Sequence, residues 1–445
     1  MLNTPVGKIL RRMAIPAIVG LFFNTMFNVT DTFYTRFISP DALAGLGFSF
    51  PIYLILIALG VGLGNAAQAL SANALGSGDR RRGAALGLAA LSLTVLVIIL
   101  VMAAGLPLLT PIVRLMGALG TALIESVQYS SVILYGLLFF ALNAVFNGIL
   151  SSRGDTKSYR NFLIIGFFAN LAFDPVFILV FNMGTAGIAL ATVLVQLVGT
   201  IYLGRKVRQL KLREQTGSID RRETMSSWRE LLSHAVPVSL NVMTVALGVF
   251  VINFFLTRYG ADAAVAGYNA AIRVEQVFLL PIMGLNTAVV TLVGHNNGAG
   301  RLDRVQAGWA TGQKYGLFIM LIGFVILFPF RSFWVGLFSP EEAIIRAGSG
   351  YLSVEVFAMF SYVFLNMGVS TLQGLRKPGF IFIIGLSRQI VLPPVVFYLL
   401  GDIAGLGVWG VWWGLFIIPT LSAAVTALYT RRKIRSAIAL QQQAA

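Results

Sequence analysis

Three polar side chains, Asn24, Asn28 and Asp31, lie in the first long apolar stretch of the sequence. Because they are spaced four and three residues apart, they would share one face of a helix. Asp31 is the one charged residue between positions 13 and 33. An acidic side chain in a membrane helix is costly and usually marks an ion pathway or faces polar partners. The chemistry that this pattern indicates is the binding of a proton or a small cation.

Further polar side chains occur at similar depth in later apolar segments. They are Asn143, Asn147, Asn170, Asp174 and Thr192. Such groups need partners in hydrocarbon, because an unsatisfied polar group there costs several kcal/mol. We therefore expect one polar cluster inside the N-terminal bundle. Two carboxylates close together in a low dielectric do not both ionise easily, so the two aspartates are predicted to hold a proton or Na+. A static network that fixes the helices together is the alternative.

The composition places the chain in a membrane. Of its 445 residues, 57% are hydrophobic and 11% are charged, and the mean hydropathy is +0.83. Soluble domains carry about 25% charged residues. The chain contains no cysteine, which excludes disulfides and thiol chemistry, and His234 and His295 lie near predicted segment ends, so a histidine metal cluster is not expected. No Walker motif, nucleophile elbow or zinc motif occurs at a credible position, so neither an enzyme nor an ATP-driven pump is predicted.

The net charge of +16 follows the topology of the chain. Lysine and arginine concentrate in alternate loops, which is typical of the cytoplasmic side of a membrane protein. This pattern predicts that both termini are cytoplasmic, and it leaves a nucleic-acid partner without positive evidence. The first apolar run is too long for a secretory signal and carries Asn and Asp, so it is predicted to be a retained helix.

Twelve apolar segments are long enough to span a bilayer. Their approximate positions are 13–35, 48–73, 85–106, 122–150, 160–181, 185–204, 234–257, 264–293, 312–333, 346–373, 379–400 and 405–430. The predicted fold class is an all-α integral membrane protein with two pseudo-symmetric six-helix bundles. The predicted domains are an N-terminal lobe (1–204), a cytoplasmic linker (205–233) and a C-terminal lobe (234–445).

The two halves resemble repeats at an offset of 222 residues. Residues 36–45 align without gaps to residues 258–267, and a Gly-x-Gly motif followed by basic residues recurs after the second helix of each half, where Arg82 corresponds to Arg304. Parallel repeats of this kind are a known transporter plan with the binding site between the halves. Gly60, with Gly62 and Gly64, is predicted to serve close helix packing.

The second half lacks the acid pair, since Asp31 corresponds to Asn253 and Asp174 to Val396. Only the first half is therefore predicted to titrate. The charged residues of the second half at membrane depth are Arg273, Glu275, Glu355 and Arg388. We expect two buried ion pairs that orient helices, Arg273 with Glu275 and Glu355 with Arg388, because unpaired membrane charges are costly. A contribution to substrate binding or gating is the alternative.

The chain resembles the multidrug and toxic compound extrusion (MATE) family over essentially its whole length. Residues 153–157 (Arg-Gly-Asp-Thr-Lys) are similar to the family's loop signature after helix four, and Pro16 matches its first-helix proline. The acid pair in the first half is most similar to the DinF-like branch. That resemblance implies a cation site for H+ or Na+, which carries over to Asp31, Asn147, Asn170, Asp174 and Thr192. A second family asparagine would fall at Ala144, and Asn143 is a candidate replacement.

The family resemblance implies export of organic cations and drugs in exchange for H+ or Na+ by alternating access between two lobes. We predict a monomeric antiporter of a bacterial or archaeal cytoplasmic membrane that needs no cofactor, and we expect H+ to drive export. Asn28 is assigned to ion coupling, and the candidate substrate contacts are Asn24, Asn143, Asn253 and Glu275. A flippase for lipid-linked precursors is the alternative function. Such proteins carry a more basic cavity than the two membrane arginines here suggest.

Overall fold

The computed structural model describes residues 1–217 and 220–444, so residues 218 and 219 of the predicted linker lie outside the described residues. The α-helices of the described residues are α1 (Val6–Tyr34), α2 (Pro40–Gly76), α3 (Arg80–Leu115), α4 (Gly120–Ser152), α5 (Lys157–Pro175), α6 (Gly184–Arg208), α7 (Leu212–Thr216), α8 (Arg221–Gly298), α9 (Leu302–Leu327), α10 (Arg331–Gly336), α11 (Glu342–Gly374), α12 (Gly379–Leu386), α13 (Leu392–Tyr398) and α14 (Val408–Ala444). They provide twelve spans that are long and apolar enough to cross a membrane: α8 supplies two, α12 and α13 together form one, and the short α7 and α10 form none. The twelve predicted segments are confirmed.

The predicted break between the seventh and eighth segments is absent, because helical residues run through α8 from the seventh span into the eighth. The equivalent connection in the first half does break. There Ser39 accepts a hydrogen bond from the Ala42 N–H, 3.1 Å away, and caps α2, which begins at a proline. A cap and a proline at the first position both favour a helix start. At the offset of 222 residues, Ala and Asp occupy these positions, so the second half lacks both signals.

The chain divides into two compact units whose boundaries fall inside helices. The first-half unit is Val19–Met243, and the second-half unit combines Met1–Ile18 with Thr244–Ala445. Each unit thus includes the start of the helix that leads into the other repeat. The units therefore differ from the predicted lobes. Residues 1–18 belong to the second-half unit, and the predicted linker with residues 234–243 belongs to the first-half unit.

The predicted linker belongs to the first-half unit. Leu212 of α7 is 4% exposed and belongs to that unit's core. Arg81 donates two hydrogen bonds to the carboxylate of Glu223, at 3.0 and 2.8 Å, and Arg82 donates to Glu230 at 2.6 Å. Bidentate and charge-assisted hydrogen bonds of this kind fix geometry strongly. The start of α8 is therefore held against the start of α3.

The corresponding arginine of the second half fastens the N-terminus. Arg304 donates to the backbone oxygens of Met1 and Thr4, at 3.2 and 2.6 Å. It is the repeat equivalent of Arg82. The arginine that follows the Gly-x-Gly motif thus makes equivalent contacts in both halves. In each half it binds the segment that leads into the first helix of the other repeat.

The glycines of α2 permit close helix packing, as predicted. A Cβ atom on Gly60 would lie 3.0 Å from the Cα of Ala141, and one on Gly64 would lie 2.5 Å from the backbone oxygen of Ala144. Gly62 faces α8 rather than α4 and is equally confined. Because α2 and α4 approach this closely, the first-half unit holds its helices in fixed register around the polar residues that follow.

Candidate functional site

Four of the predicted polar residues meet inside the first-half unit. Asp31 comes from α1, Asn170 and Asp174 from α5, and Thr192 from α6. Asp31 is 6% exposed, Thr192 is 2% exposed, and both α5 residues are completely buried. The i, i+4 spacing on α5 brings its two side chains to the same face. The predicted polar cluster therefore exists as a cluster of three helices.

Asn170 joins the two acids. Its Nδ2 donates one hydrogen bond to Asp31 Oδ1 at 2.7 Å and another to Asp174 Oδ2 at 2.8 Å. The hydroxyl of Thr192 lies 3.3 Å from Asp31 Oδ2 and 3.0 Å from the backbone oxygen of Ile188. A hydroxyl has a single proton to donate, so Thr192 serves one of these acceptors at a time.

The cluster contains more acceptors than donors. Asp174 Oδ1 and Asn170 Oδ1 are buried and accept no hydrogen bond from any described residue. Asp31 Oδ2 depends on the shared hydroxyl of Thr192. Buried acceptors without donors are costly and call for an explanation. Carboxylate and amide oxygens are suitable ligands for a hard cation, and a carboxylate also takes up a proton, so these residues fit either H+ or Na+.

The backbone beside Asp174 is irregular. The next residue, Pro175, ends α5, and a π-helical turn follows at Val176–Val180. Proline removes a backbone hydrogen bond, and π turns frequently occur at functional sites. The buried acid therefore lies where α5 has the weakest backbone hydrogen bonding.

Asn28 and Asn147, which were predicted to join the ion site, make no hydrogen bond to the acids among the described contacts. Asn28 is exposed and donates to the backbone oxygen of Asn24 at 2.9 Å. Asn147 accepts a hydrogen bond from Ser151 at 3.1 Å. No direct contact with the two acids therefore supports their assignment to ion coupling among the described residues, and that assignment stays a prediction.

A small pocket of about 20 Å³ lies beside the cluster. Its polar lining consists of Asn24, Asn28, Tyr53, Thr192 and Gln196. A volume of this size holds about one water molecule. Tyr53 and Gln196 are absent from the sequence-based candidates. Gln196 lies four residues after Thr192, a spacing that could have identified it.

Asn143, a predicted substrate contact, is 1% exposed and braces α4 against α6. It donates to the backbone oxygen and the Oε1 of Gln196, at 2.9 and 2.7 Å. It also accepts a hydrogen bond from Thr200 at 3.1 Å. Its hydrogen-bonding groups are therefore engaged by α6.

The predicted ion pair between Arg273 and Glu275 is wrong. Residues two apart on a helix do not face each other, and Arg273 is exposed whereas Glu275 is buried. Glu275 instead accepts a hydrogen bond of 2.5 Å from the Tyr351 hydroxyl. Asn253 has a buried side-chain oxygen without a hydrogen-bond partner among the described residues.

The predicted ion pair between Glu355 and Arg388 is also wrong. The guanidinium of Arg388 lies 5.8 Å from the ring centroid of Tyr362. Glu355 is 1% exposed, and neither of its oxygens has a hydrogen-bond partner among the described residues. Arg388 is near enough to act on this carboxyl electrostatically but makes no direct contact with it. The second-half unit thus contains a buried carboxyl of its own, whereas the sequence predicted titration in the first half alone.

The loop after α4 has a structural role. The carboxylate of Asp155 accepts hydrogen bonds from the backbone N–H and the hydroxyl of Ser158, at 3.0 and 2.6 Å, and so orders the start of α5. Gly154 has a φ of 85°, which favours glycine. Burial lowers the pKa of the Arg153 guanidinium, whose Nη1 donates to the Ile149 backbone oxygen at 3.1 Å.

Comparison with known proteins decides the family. The family model MatE matches residues 16–176 and 237–399, once in each half. The chain belongs to the MatE family. The resemblance found in the sequence is thereby confirmed for the family, and the DinF-like branch stays a prediction. MatE proteins are membrane transporters, so this chain is a multi-pass membrane transporter rather than an enzyme.

Relatives of this MatE chain carry several transport functions in their names. The chain is 27% identical over 400 residues to a FAD transporter of Shewanella oneidensis. This alignment covers 88% of this chain and 87% of the relative. It is 25% identical over 333 residues to the multidrug export protein MepA of Staphylococcus aureus, covering 73% of this chain and 70% of MepA. Among solved structures, a MOP superfamily transporter from Pyrococcus furiosus is 25% identical, with a TM-score of 0.92, over 98% of this chain and 97% of that chain.

Proposed function

We propose that this MatE protein is a multidrug efflux antiporter, which exports amphipathic organic cations in exchange for inward movement of H+, or of Na+. The observation that carries the proposal is the shortage of donors around Asp31 and Asp174. Two buried oxygens in this cluster have no hydrogen-bond partner among the described residues. One positive charge would complete the site, since acceptor groups alone cannot satisfy one another.

Charge balance supports coupling at this cluster. With both aspartates ionised, two negative charges in a low dielectric share the two protons of one carboxamide. Uptake of one H+ or Na+ lowers the repulsion and favours the closed packing of α1, α5 and α6. Loss of the ion restores the repulsion and favours a state in which water reaches the acids. A difference of this kind between two states is what alternating access requires.

The drug class is inferred from relatives such as the multidrug export protein MepA. A second candidate substrate is FAD, because the relative named as a FAD transporter matches 88% of this chain. We place the protein in a cytoplasmic membrane with both termini on the cytoplasmic side, as the loop charges predict. We propose a monomer that needs no cofactor. The flippase alternative predicts movement of lipid-linked precursors without efflux of soluble compounds.

Efflux from cells tests the proposal. We expect wild-type protein to lower the accumulation of ethidium, and the Asp31→Asn variant to lose this activity while reaching the membrane at the wild-type level. Glu341→Gln is the matched control, because this exposed acid lies outside the membrane spans. Wild-type efflux by Asp31→Asn would remove the coupling role of the cluster. Export of FAD without ethidium would select the second substrate, and lipid flipping without either would select the flippase.

A further inference from the structure

A row of polar side chains leads away from the acid pair along α6. Thr192, Gln196 and Thr200 are spaced four residues apart and share one face of the helix. Each step of four residues advances about 6 Å along a helix. Thr192 contacts Asp31, and α6 ends at Arg208 in a turn that also contains Arg205. The row therefore runs from the buried acids toward the basic end of α6.

The orientation of the Gln196 carboxamide follows from its neighbours. Asn143 faces the backbone oxygen of Gln196, so the atom of Asn143 at this position must be its Nδ2. This donor also contacts the Gln196 side chain, so the atom it meets there is the acceptor Oε1. The NH2 group of Gln196 consequently points away from Asn143, and no described residue accepts a hydrogen bond from it. Gln196 lines the small pocket beside Thr192.

The size and the lining of this pocket decide what it can contain. Its volume is about 20 Å³, which suits about one water molecule. Pockets for drug-sized ligands measure about 300–1,000 Å³. The polar side chains around it, those of Asn24, Asn28, Tyr53 and Gln196, are uncharged hydrogen-bonding groups. Asn28 uses its Nδ2 on its own helix, which leaves its Oδ1 as an acceptor. This chemistry fits one water molecule or one small monovalent cation.

The position of the pocket along α5 agrees with the direction of the row. The pocket contacts Phe162 and Gly166, which precede Asn170 and lie nearer the start of α5. The start of α5 and the end of α6 lie on the same side, because the two helices follow each other across the membrane. The pocket is therefore offset from the acid pair toward the basic end.

We propose that this pocket and the face of Thr192, Gln196 and Thr200 form the path by which the coupling ion leaves the acid pair toward the basic, predicted cytoplasmic side. The inference rests on the proposed ion coupling at Asp31. Thr192 is the junction, because it contacts the acid and also lines the pocket. Gln196 is a positioning residue that keeps a polar, hydrated surface at the next helical turn. The competing role for the same residues is a static brace between α4 and α6.

Accessibility distinguishes the path from the brace. The natural chain has no cysteine, so single-cysteine variants need no other change. Ag+, a thiol-reactive monovalent cation small enough for a pocket of this size, would be added to inside-out vesicles that contain Gln196→Cys. The matched control is Val198→Cys, on the outer surface of α6 with 51% exposure. We expect modification at position 196 at least about tenfold faster than at 198, because hydrocarbon excludes the charged reagent.

Two results would overturn the path. One is modification at 196 no faster than at 198, and the other is faster modification at 196 in right-side-out than in inside-out vesicles. Transport supplies a second readout: Gln196→Leu should slow gradient-driven efflux about tenfold, or about 1.4 kcal/mol, while ethidium binding in detergent keeps the wild-type affinity. Unchanged efflux by Gln196→Leu would support the brace.

Different results would disprove the proposed ion path and the proposed antiport function. If Asp31→Asn abolishes efflux while position 196 is inaccessible, the antiport mechanism stands and the path is wrong. If Asp31→Asn retains efflux, the coupling role is wrong whatever the labelling shows. Labelling at 196 in the Asp31→Asn background should persist, since the pocket lining does not include Asp31.

Discussion

Asn170 donates a hydrogen bond of 2.7 Å to Asp31, which lies 139 positions earlier in the chain. This contact joins α5 to α1 within the first-half unit. It makes Asn170 the residue on which the geometry of the acid pair depends, because the same carboxamide also binds Asp174.

Replacement of Asn170 by alanine removes both donors at once. Hydrogen bonds to charged groups contribute about 1.5–3 kcal/mol each, so we expect gradient-driven efflux to fall by more than about tenfold. Ethidium efflux from vesicles measures the loss. Asn269→Ala is a suitable control, because the one hydrogen bond of this exposed asparagine among the described contacts goes to the backbone of its own helix. Efflux by Asn170→Ala within twofold of wild type would contradict the role of the shared carboxamide.

Thr192 should tolerate serine and not valine. Serine keeps the hydroxyl that lies 3.3 Å from Asp31 Oδ2, whereas valine keeps the shape and removes it. We expect efflux by Thr192→Ser near the wild-type level and a reduction of about three- to tenfold for Thr192→Val, the effect of one modest hydrogen bond. Initial efflux rates at equal protein density compare the two. Equal rates for both variants would show that the hydroxyl has no part in coupling.

The buried carboxyl of Glu355 should be replaceable by glutamine without loss of stability. Neither oxygen has a hydrogen-bond partner among the described residues, and a buried charge without hydrogen bonds is strongly unfavourable. We expect the melting temperature of Glu355→Gln in detergent to equal or exceed that of the wild type. Tyr351→Phe should lower it, because Glu275 then loses its donor. A clearly lower melting temperature for Glu355→Gln would reveal a stabilising partner for the charged form.

The ion pair between Arg82 and Glu230 should matter for stability more than an exposed pair does. Its side chains are 28% and 21% exposed, whereas those of Lys211 and Glu214 are 68% and 67% exposed. We expect Arg82→Gln to destabilise the protein by about 1–3 kcal/mol and Lys211→Gln by under about 0.5 kcal/mol. Chemical denaturation in detergent measures both. Equal effects would mean that the ion pair between Arg82 and Glu230 has no part in holding the start of α8.

The sequence was sufficient for the spans and for the acid pair, because both leave local signals. Long apolar runs mark the helices, and the spacing of Asn170 and Asp174 fixes their common face. The partners in the second half left no such signal. The ion pair expected for Arg273 and Glu275 ignored helix geometry, since the two side chains point in different directions. The hydrogen bond from Tyr351 to Glu275 joins residues 76 positions apart, so tertiary packing alone reveals it.

The continuity of α8 was also hidden. The seventh and eighth segments were predicted as separate spans, 234–257 and 264–293, and the residues between them are helical. The first half breaks at the equivalent place, where Ser39 caps α2, and the second half has neither this cap nor the proline that follows it. Likewise, Arg82 contacts Glu230 and Arg304 contacts Thr4, and the recurring motif marked these arginines without showing what they bind.

Transport in proteoliposomes under one imposed gradient at a time tests the central claim most directly. Vesicles with wild-type protein or with Asp31→Asn would receive a pH gradient at constant Na+, or a Na+ gradient at constant pH. We expect the pH gradient to drive ethidium transport by the wild type, and Asp31→Asn to transport with neither gradient. Strict dependence on Na+ would reassign the coupling ion. Gradient-driven transport by Asp31→Asn at the wild-type rate would rule out ion coupling at Asp31.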